Sequence, residues 1–96
     1  MVAVPLQAVE RLEACDDYVA LHAGERQYLL HARLQDLESR LDPARFGRIH
    51  RSHVVNLDFV AEIEPHEGSR VVAVFKSGAR VASSRSGASR LRSRTS

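Results

Sequence analysis

The chain has no tryptophan, and only 5% of its 96 residues are aromatic. Single-stranded nucleic acid is usually held by stacking bases on aromatic side chains, so that mode of recognition lacks its main tool. With a single cysteine, Cys15, no intrachain disulfide can form. Asp16 and Asp17 follow it, and neighbouring carboxylates disfavour a thiolate. Cys15 therefore reads as a buried or half-buried structural thiol rather than a redox sensor. No run approaches the ~18 apolar residues that cross a bilayer. Residues 1–6 are too short for a secretory signal and lack its basic flank. A cytoplasmic chain with no membrane partner is expected. The glycines, at positions 24, 47, 68, 78 and 87, are scattered, which leaves no glycine-rich phosphate loop. Ser83, Ser84 and Ser86 have no nucleophile elbow around them. His50 and His53 have no further ligands at a recognisable metal-site spacing. No enzyme, cofactor or metal centre is expected.

What is present is globular: 44% hydrophobic and 27% charged residues, enough for one domain with a modest core. The net charge of +2 hides an asymmetry. Residues 1–44 hold four arginines against eight acids (net −4), and residues 45–96 hold ten cations against four acids (net +6). Positive charge gathered in one half implies a polyanionic partner. Part of that excess is an Arg-rich stretch from Ser86 onward, which reads as an unstructured tail. Arg48, Arg51 and Arg85 are not explained by it.

Hydrophobic alternation predicts a first strand over residues 8–14, a turn at 15–17, and a hairpin of strands over 18–22 and 27–31. The period then changes. Leu34, Leu37 and Leu41 form one stripe of a helix over residues 34–41, ended by Pro43. So short a helix has no independent stability and must brace a sheet. Residues 48–53 read as a polar loop pinned from beneath by Phe46 and Ile49. A strand then carries Val54, Val55 and Leu57, with Asn56 and Asp58 as polar interruptions. The next strand sets Phe59, Ala61 and Ile63 on one face and Val60, Glu62 and Glu64 on the other. Strands over 70–76 and 80–83 follow, then a polar loop of Ser83, Ser84, Arg85 and Ser86. Short strands with turns every ~8–12 residues predict a small sandwich or barrel-like β domain.

The chemistry concentrates at residues 48–56. Arginine offers a planar fork of donors that suits phosphate oxygens and the acceptor edge of guanine. Arg51, followed at once by a buried strand, would hold that fork in a fixed pose. Asn56 has the donors and acceptors for such a contact, but satisfying backbone groups where the strand turns is the stronger reading. Two functions stay open on residue chemistry: sequence-specific binding of duplex DNA, and a small β protein-interaction module for an acidic partner. His50 and His53 add the prospect of pH dependence, since imidazole charge changes near pH ~6.5.

The run Phe46-Gly47-Arg48-Ile49-His50-Arg51-Ser52-His53-Val54-Val55-Asn56 resembles the central motif of LytTR DNA-binding domains, F-x-R-x-H-R-S-x-x-V-N. Glu13-Ala14, Asp17-Tyr18-Val19, the leucine-striped helix, Ser77-Gly78 and Ser84-Arg85 extend the match over residues 9–92. The resemblance implies an elongated, mainly β, sandwich-like fold with short helices. It also implies the output domain of a bacterial transcription regulator of the two-component response-regulator type. Such domains insert loops into successive major grooves, bend the DNA, and often bind direct repeats as pairs, so a second copy on double-stranded DNA is an expected partner. By position, Arg51 and Arg85 are the principal contacts, and the loop of Asp17 and Tyr18 is a third. Arg48, His50, Ser52, His53 and Ser84 lie in or under the same surface, with Ile49, Val54 and Val55 supporting it from the core. There are departures. Asp16-Asp17 makes the first loop acidic, which leaves contact there to Tyr18 or the backbone. Ser86-Gly87 stands where the family often has a bulkier residue, which implies a looser loop. Family members usually carry a receiver or membrane domain in addition, so these 96 residues are expected to be either a stand-alone binder or an excised output domain. Residues 1–7 fit a linker remnant or disordered start, 8–92 the domain, and 93–96 a disordered tail.

Overall fold

The computed structural model describes residues 5–95, with side chains as far as Arg92. The first four residues of the linker expected at 1–7, and the final residue of the expected tail, Ser96, lie outside the described residues, and Leu6–Ala8 form a 3-10 turn. Strands β1 (Arg11–Cys15), β2 (Tyr18–Ala23) and β3 (Arg26–His31) form consecutive hairpins. The Asp16-Asp17 turn places Asp16 at φ 54, a left-handed conformation that Asp tolerates. After helix α1 (Leu34–Glu38), β4 (Phe46–His50) and β5 (His53–Asn56) make a second hairpin. It docks through β5 on β1, giving an antiparallel sheet in the order β3-β2-β1-β5-β4. Strands β6 (Val60–Pro65), β7 (Val71–Phe75) and β8 (Arg80–Ala82) make a second antiparallel sheet, and α2 (Arg85–Thr95) follows. The result is mainly β, two sheets with short helices, and elongated at 41 × 24 × 21 Å.

Strand alternation makes two cores out of one sheet. On one face Leu12, Val19, Phe46 and Val54 pack with Leu34 and Leu41 around α1. On the other, Ile49 and Val55 pack with Val71, Ala73, Phe75 and Val81 of the second sheet and with Ala88 and Leu91 of α2. Adjacent valines of β5 therefore belong to different cores.

Several elements differ from the sequence expectation. The helix over residues 34–41 is α-helical only to Glu38. Ser39 Oγ donates to the Asp36 carbonyl at 2.8 Å, and Arg40 and Leu41 donate to carbonyls three residues back, which tightens the last turn. Leu41 still reaches the core. Residues 48–50 are strand, not loop, because β4 pairs with β5 as far as His50 opposite His53. Leu57–Phe59 is a 3-10 turn rather than strand, because the Asn56 side chain accepts the Asp58 N–H at 3.0 Å and bends the backbone. A bulge between Val60 and Glu62 overturns the expected alternation of β6, so Val60 packs with Phe59 and Ile63 against one core and Ala61 is exposed.

The polar loop beyond Ser84 and the expected tail from Ser86 are instead α2, which docks on β4. Ser84 N–H donates to the Ile49 carbonyl at 2.8 Å, and Ser84 Oγ accepts the Gly87 N–H at 3.1 Å, an N-cap. Gly87 does not loosen this junction. It permits it, since a Cβ there would collide with the carbonyl of Ile49. Gly87→Ala should lower the stability of the domain by about 1–3 kcal/mol, outweighing the ~1 kcal/mol that Ala ordinarily gains over Gly in a helix. Urea unfolding of the two proteins measures this, and an unchanged or raised midpoint would show that the helix can shift at no cost.

Candidate nucleic-acid interface

The β4–β5 hairpin ends in a two-residue turn, Arg51-Ser52, and its neighbours hold that turn from several sides. A bulge between Arg48 and His50 brings the His50 ring beside His53, with centroids 5.6 Å apart. The Arg48 guanidinium does not project freely. Its Nη1 donates to Glu38 Oε1 of α1 at 3.1 Å, its Nε to the His50 carbonyl at 3.4 Å, and its Nη2 to the Arg51 carbonyl. Ser52 N–H donates to His50 Nδ1 at 3.2 Å, with Ser52 Oγ 2.9 Å from the same nitrogen. An amide can only donate, so this geometry requires a bare Nδ1 and the proton on Nε2. The Ser52 carbonyl accepts the Ala14 N–H at 2.8 Å, tying the turn to β1. Arg51 is exposed at the tip, and among the described residues no acceptor engages its guanidinium.

A cleft beside the turn gathers Arg48, His50, Arg51 and Ser84 with Ser86 and Arg90 of α2. Arg90 Nη1 donates to the Arg48 carbonyl at 2.9 Å. Arg90 was hidden from sequence reasoning by the expectation of a tail, whereas Ser86 was read only as part of a polar loop. The signal that reveals them is Ser84 as N-cap, with Ala88 and Leu91 three apart on one helix face. Arg85 is exposed but turns the other way. Its Nη2 and Nε lie 3.8 and 3.9 Å from where a side-chain carbon at Gly68, in the β6–β7 turn, would sit. Asp17 in the β1–β2 turn and Tyr18 at the start of β2 are exposed, and the Tyr18 ring meets His31 edge-on at 5.3 Å. Because β1 and β5 are antiparallel neighbours, this turn and the β4–β5 turn lie at the same end of the first sheet.

His53 is half-buried opposite Glu13 of β1. Burial lowers its pKa, the Glu13 carboxylate opposes that, and His50, Arg11 and His22 push it down further. Asn56 is 1% exposed. Its Nδ2 donates to the Val9 carbonyl at 2.9 Å, so it serves the backbone. Cys15 is half-buried. Among the described residues no three His, Cys, Asp or Glu side chains are grouped to hold a metal ion, and no helix is long and apolar enough to cross a membrane.

Comparison with known proteins matches residues 1–96 to the LytTr DNA-binding domain family. The chain superposes on the LytTr DNA-binding domain of a Bacillus cereus protein named as a methyl-accepting/DNA response regulator. The TM-score is 0.88 at 34% identity, over 96% of this chain and 84% of that one. It is 30% identical over 92 residues to the sensory transduction protein LytT of Bacillus anthracis, covering 96% of this chain and 37% of that protein. A match to the heme-containing CO-sensing transcriptional regulator RcoM 2 of Paraburkholderia xenovorans has 32% identity over 63 residues, 66% of this chain and 24% of the relative. The chain thus spans well under half the length of these curated relatives.

The environment of His53 sets a pH dependence of folding. Its folded pKa lies below the ordinary 6.5, so the unfolded chain binds the proton more readily. This histidine therefore leaves stability intact above about pH 6.5 and subtracts from it as pH falls from there through the folded pKa. His53→Gln should flatten the fall in melting temperature between about pH 7.5 and about pH 5.5. Equal falls in both proteins would show that His53 carries none of it.

Proposed function

The chain belongs to the LytTr DNA-binding domain family, and on that premise we propose that it binds duplex DNA sequence-specifically as the output domain of a bacterial transcription regulator. The observation that carries this reading is the Arg51 turn, whose backbone is held on three sides while its guanidinium is exposed and unengaged among the described residues. A rigid turn presenting a planar donor fork suits a guanine edge or a phosphate pair. Ser84, Ser86 and Arg90 extend the polar surface beside it. Tyr18 and Asp17 at the neighbouring turn, and Arg85 on the far side of the α2 N-terminus, lengthen the reading edge. His50, Ser52 and His53 shape the turn from beneath, and Arg48 acts chiefly as its strut. The 41 Å long axis is comparable to one helical repeat of B-DNA, ~34–36 Å, which supports contacts in successive major grooves on one side of the duplex. Two copies side by side on direct repeats, and control by a receiver domain elsewhere in the regulator, complete the reading.

Selection from random duplexes should enrich a defined site, whereas no enrichment would favour an acidic protein partner. On that site Arg51→Ala and Arg85→Ala should each cost about 1–3 kcal/mol and relax preference at particular base pairs. Arg51→Ala should leave folding stability unchanged, while Arg48→Ala should lower stability and affinity together, because three acceptors lose their donor. Wild-type affinity and specificity in both the Arg51 and Arg85 variants would defeat the assignment. A binding constant insensitive to salt would remove its electrostatic basis.

A further inference from the structure

A second polar cleft, about 560 Å³, lies between the two sheets behind the recognition turn. The bulge and the β1–β5 register create it, by placing Arg11, Glu13, His50 and His53 along the sheet face that, one step further, turns apolar at Val55 and Ile49. Arg70 and Arg80 close it from the second sheet, with Ser83 and Ser84 at the base. Among the described residues two buried side-chain atoms have no hydrogen-bond partner, Arg11 Nε and His53 Nδ1, and both residues line this one cleft. Arg11 Nε lies 3.6 Å from Glu10 Oε2 in an ion pair, so His53 Nδ1 is the buried atom left without any partner, and a buried polar atom in that state beside a polar cleft points to a ligand that supplies one.

We propose that this cleft binds a phosphate-class oxyanion, with Arg11, Arg70 and Arg80 as its cationic donors and His53 as a further donor. Three guanidiniums and one carboxylate, Glu13, line it, and the Arg11 guanidinium also pairs through Nε with Glu10 at 3.6 Å. The Glu13 carboxylate is already engaged by His22 Nε2 at 3.1 Å and by Arg11 Nη1 at 3.6 Å. Arg80 reaches Glu64 of β6 through Nη2, and Arg70 is exposed with no acceptor engaging its guanidinium among the described residues. Ser83 Oγ accepts the Val71 N–H at 3.1 Å, which leaves its hydroxyl hydrogen as a donor. Guanidinium forks match tetrahedral oxyanions through paired, charge-assisted bonds, and a half-enclosed cleft strengthens them. The groups facing His53 are Glu13 of β1, His22 of β2, His50 of β4 and Arg11. All but Glu13 disfavour its charge, and a bound anion would reverse that balance. Binding should therefore tighten as pH falls through the histidine range. The cleft shares His50 and Ser84 with the surface beside Arg51, so the oxyanion is either free phosphate or a backbone phosphate of bound duplex.

The site can be tested without DNA, so its failure is separate from failure of the DNA-binding reading. The whole chain, isotope-labelled, is titrated with inorganic phosphate at constant ionic strength. Saturable shifts are expected at the His53 ring and at the amides of Arg70, Arg80 and Ser83. The double variant Arg70→Gln, Arg80→Gln should bind about tenfold or more weakly. Both positions are exposed, and the rest of the amide spectrum verifies the fold. Shifts that never saturate, or that are equal in the variant, would overturn the site. Sulfate, whose charge is constant here, should bind more tightly at about pH 6 than at about pH 8, and His53→Gln should abolish the difference. Binding that is independent of pH in the unsubstituted chain would remove His53 from the site. With the selected duplex, a salt slope reduced by about one in the double variant identifies a backbone phosphate as the occupant. An unchanged slope, with phosphate binding to the free chain intact, identifies free phosphate.

Discussion

The structure depends on β5 being buried on both faces. Val54 and Val55 are each fully inside, one under α1 and one under the second sheet. Strand side chains alternate with a period of two, so a slip of one residue would send each valine, and every neighbour in the hairpin, to the wrong core. Two cores therefore specify one register. The same register fixes which residues form the turn, Arg51 and Ser52, and sets His53 opposite Glu13. The candidate interface inherits its geometry from apolar packing that never touches a ligand.

Polar groups then finish what the valines begin. Asn56, at the end of β5, ties that strand to Val9 and turns the chain into the 3-10 segment that leads to the second sheet. Both functional ends of its amide are used inside the fold, which is how a buried polar side chain becomes tolerable. Arg48 links the turn carbonyls to Glu38, so the five-residue α1 braces the hairpin by charge as well as by Leu34. On the other side α2 locks against Ile49 through Ser84 and the missing side chain of Gly87. Removing any one of these would leave the valines in place but the turn less defined.

Most strands were legible because they are local: β2, β3 and β7 show in their alternation or β-branched runs, and the Asp16-Asp17 turn in its chemistry. The role of Asn56 was legible too, from its position at a strand end. What escaped is set by distant contacts. Nothing near Ile49 or Ala61 announces a bulge, since each serves a packing need created by the other sheet. Helix α2 escaped because its charged, serine-rich sequence has a very narrow apolar face, Ala88 and Leu91, which means something only once β4 is there to receive it. The basic cleft escaped because Arg11 and His53 are brought to Arg70 and Arg80 by topology, not by spacing.

Arg48 and Arg51 are three residues apart and chemically identical, yet the hairpin makes them unlike. Arg48 donates to three acceptors of its own protein, and its loss of rotamer freedom occurs on folding. Arg51 sits on the backbone that Arg48 has already immobilised. A partner that engages Arg51 must then order only one side chain and not the turn beneath it, and ordering costs are what most erode the affinity of a polar surface. An arginine committed inward is thus the reason that its neighbour can act outward. It follows that the motif around Arg51 is a single mechanical unit: the inward residues fix the pose and the tip supplies the contact. Exchanging the roles of the two arginines is not possible without changing the register that Val54 and Val55 enforce.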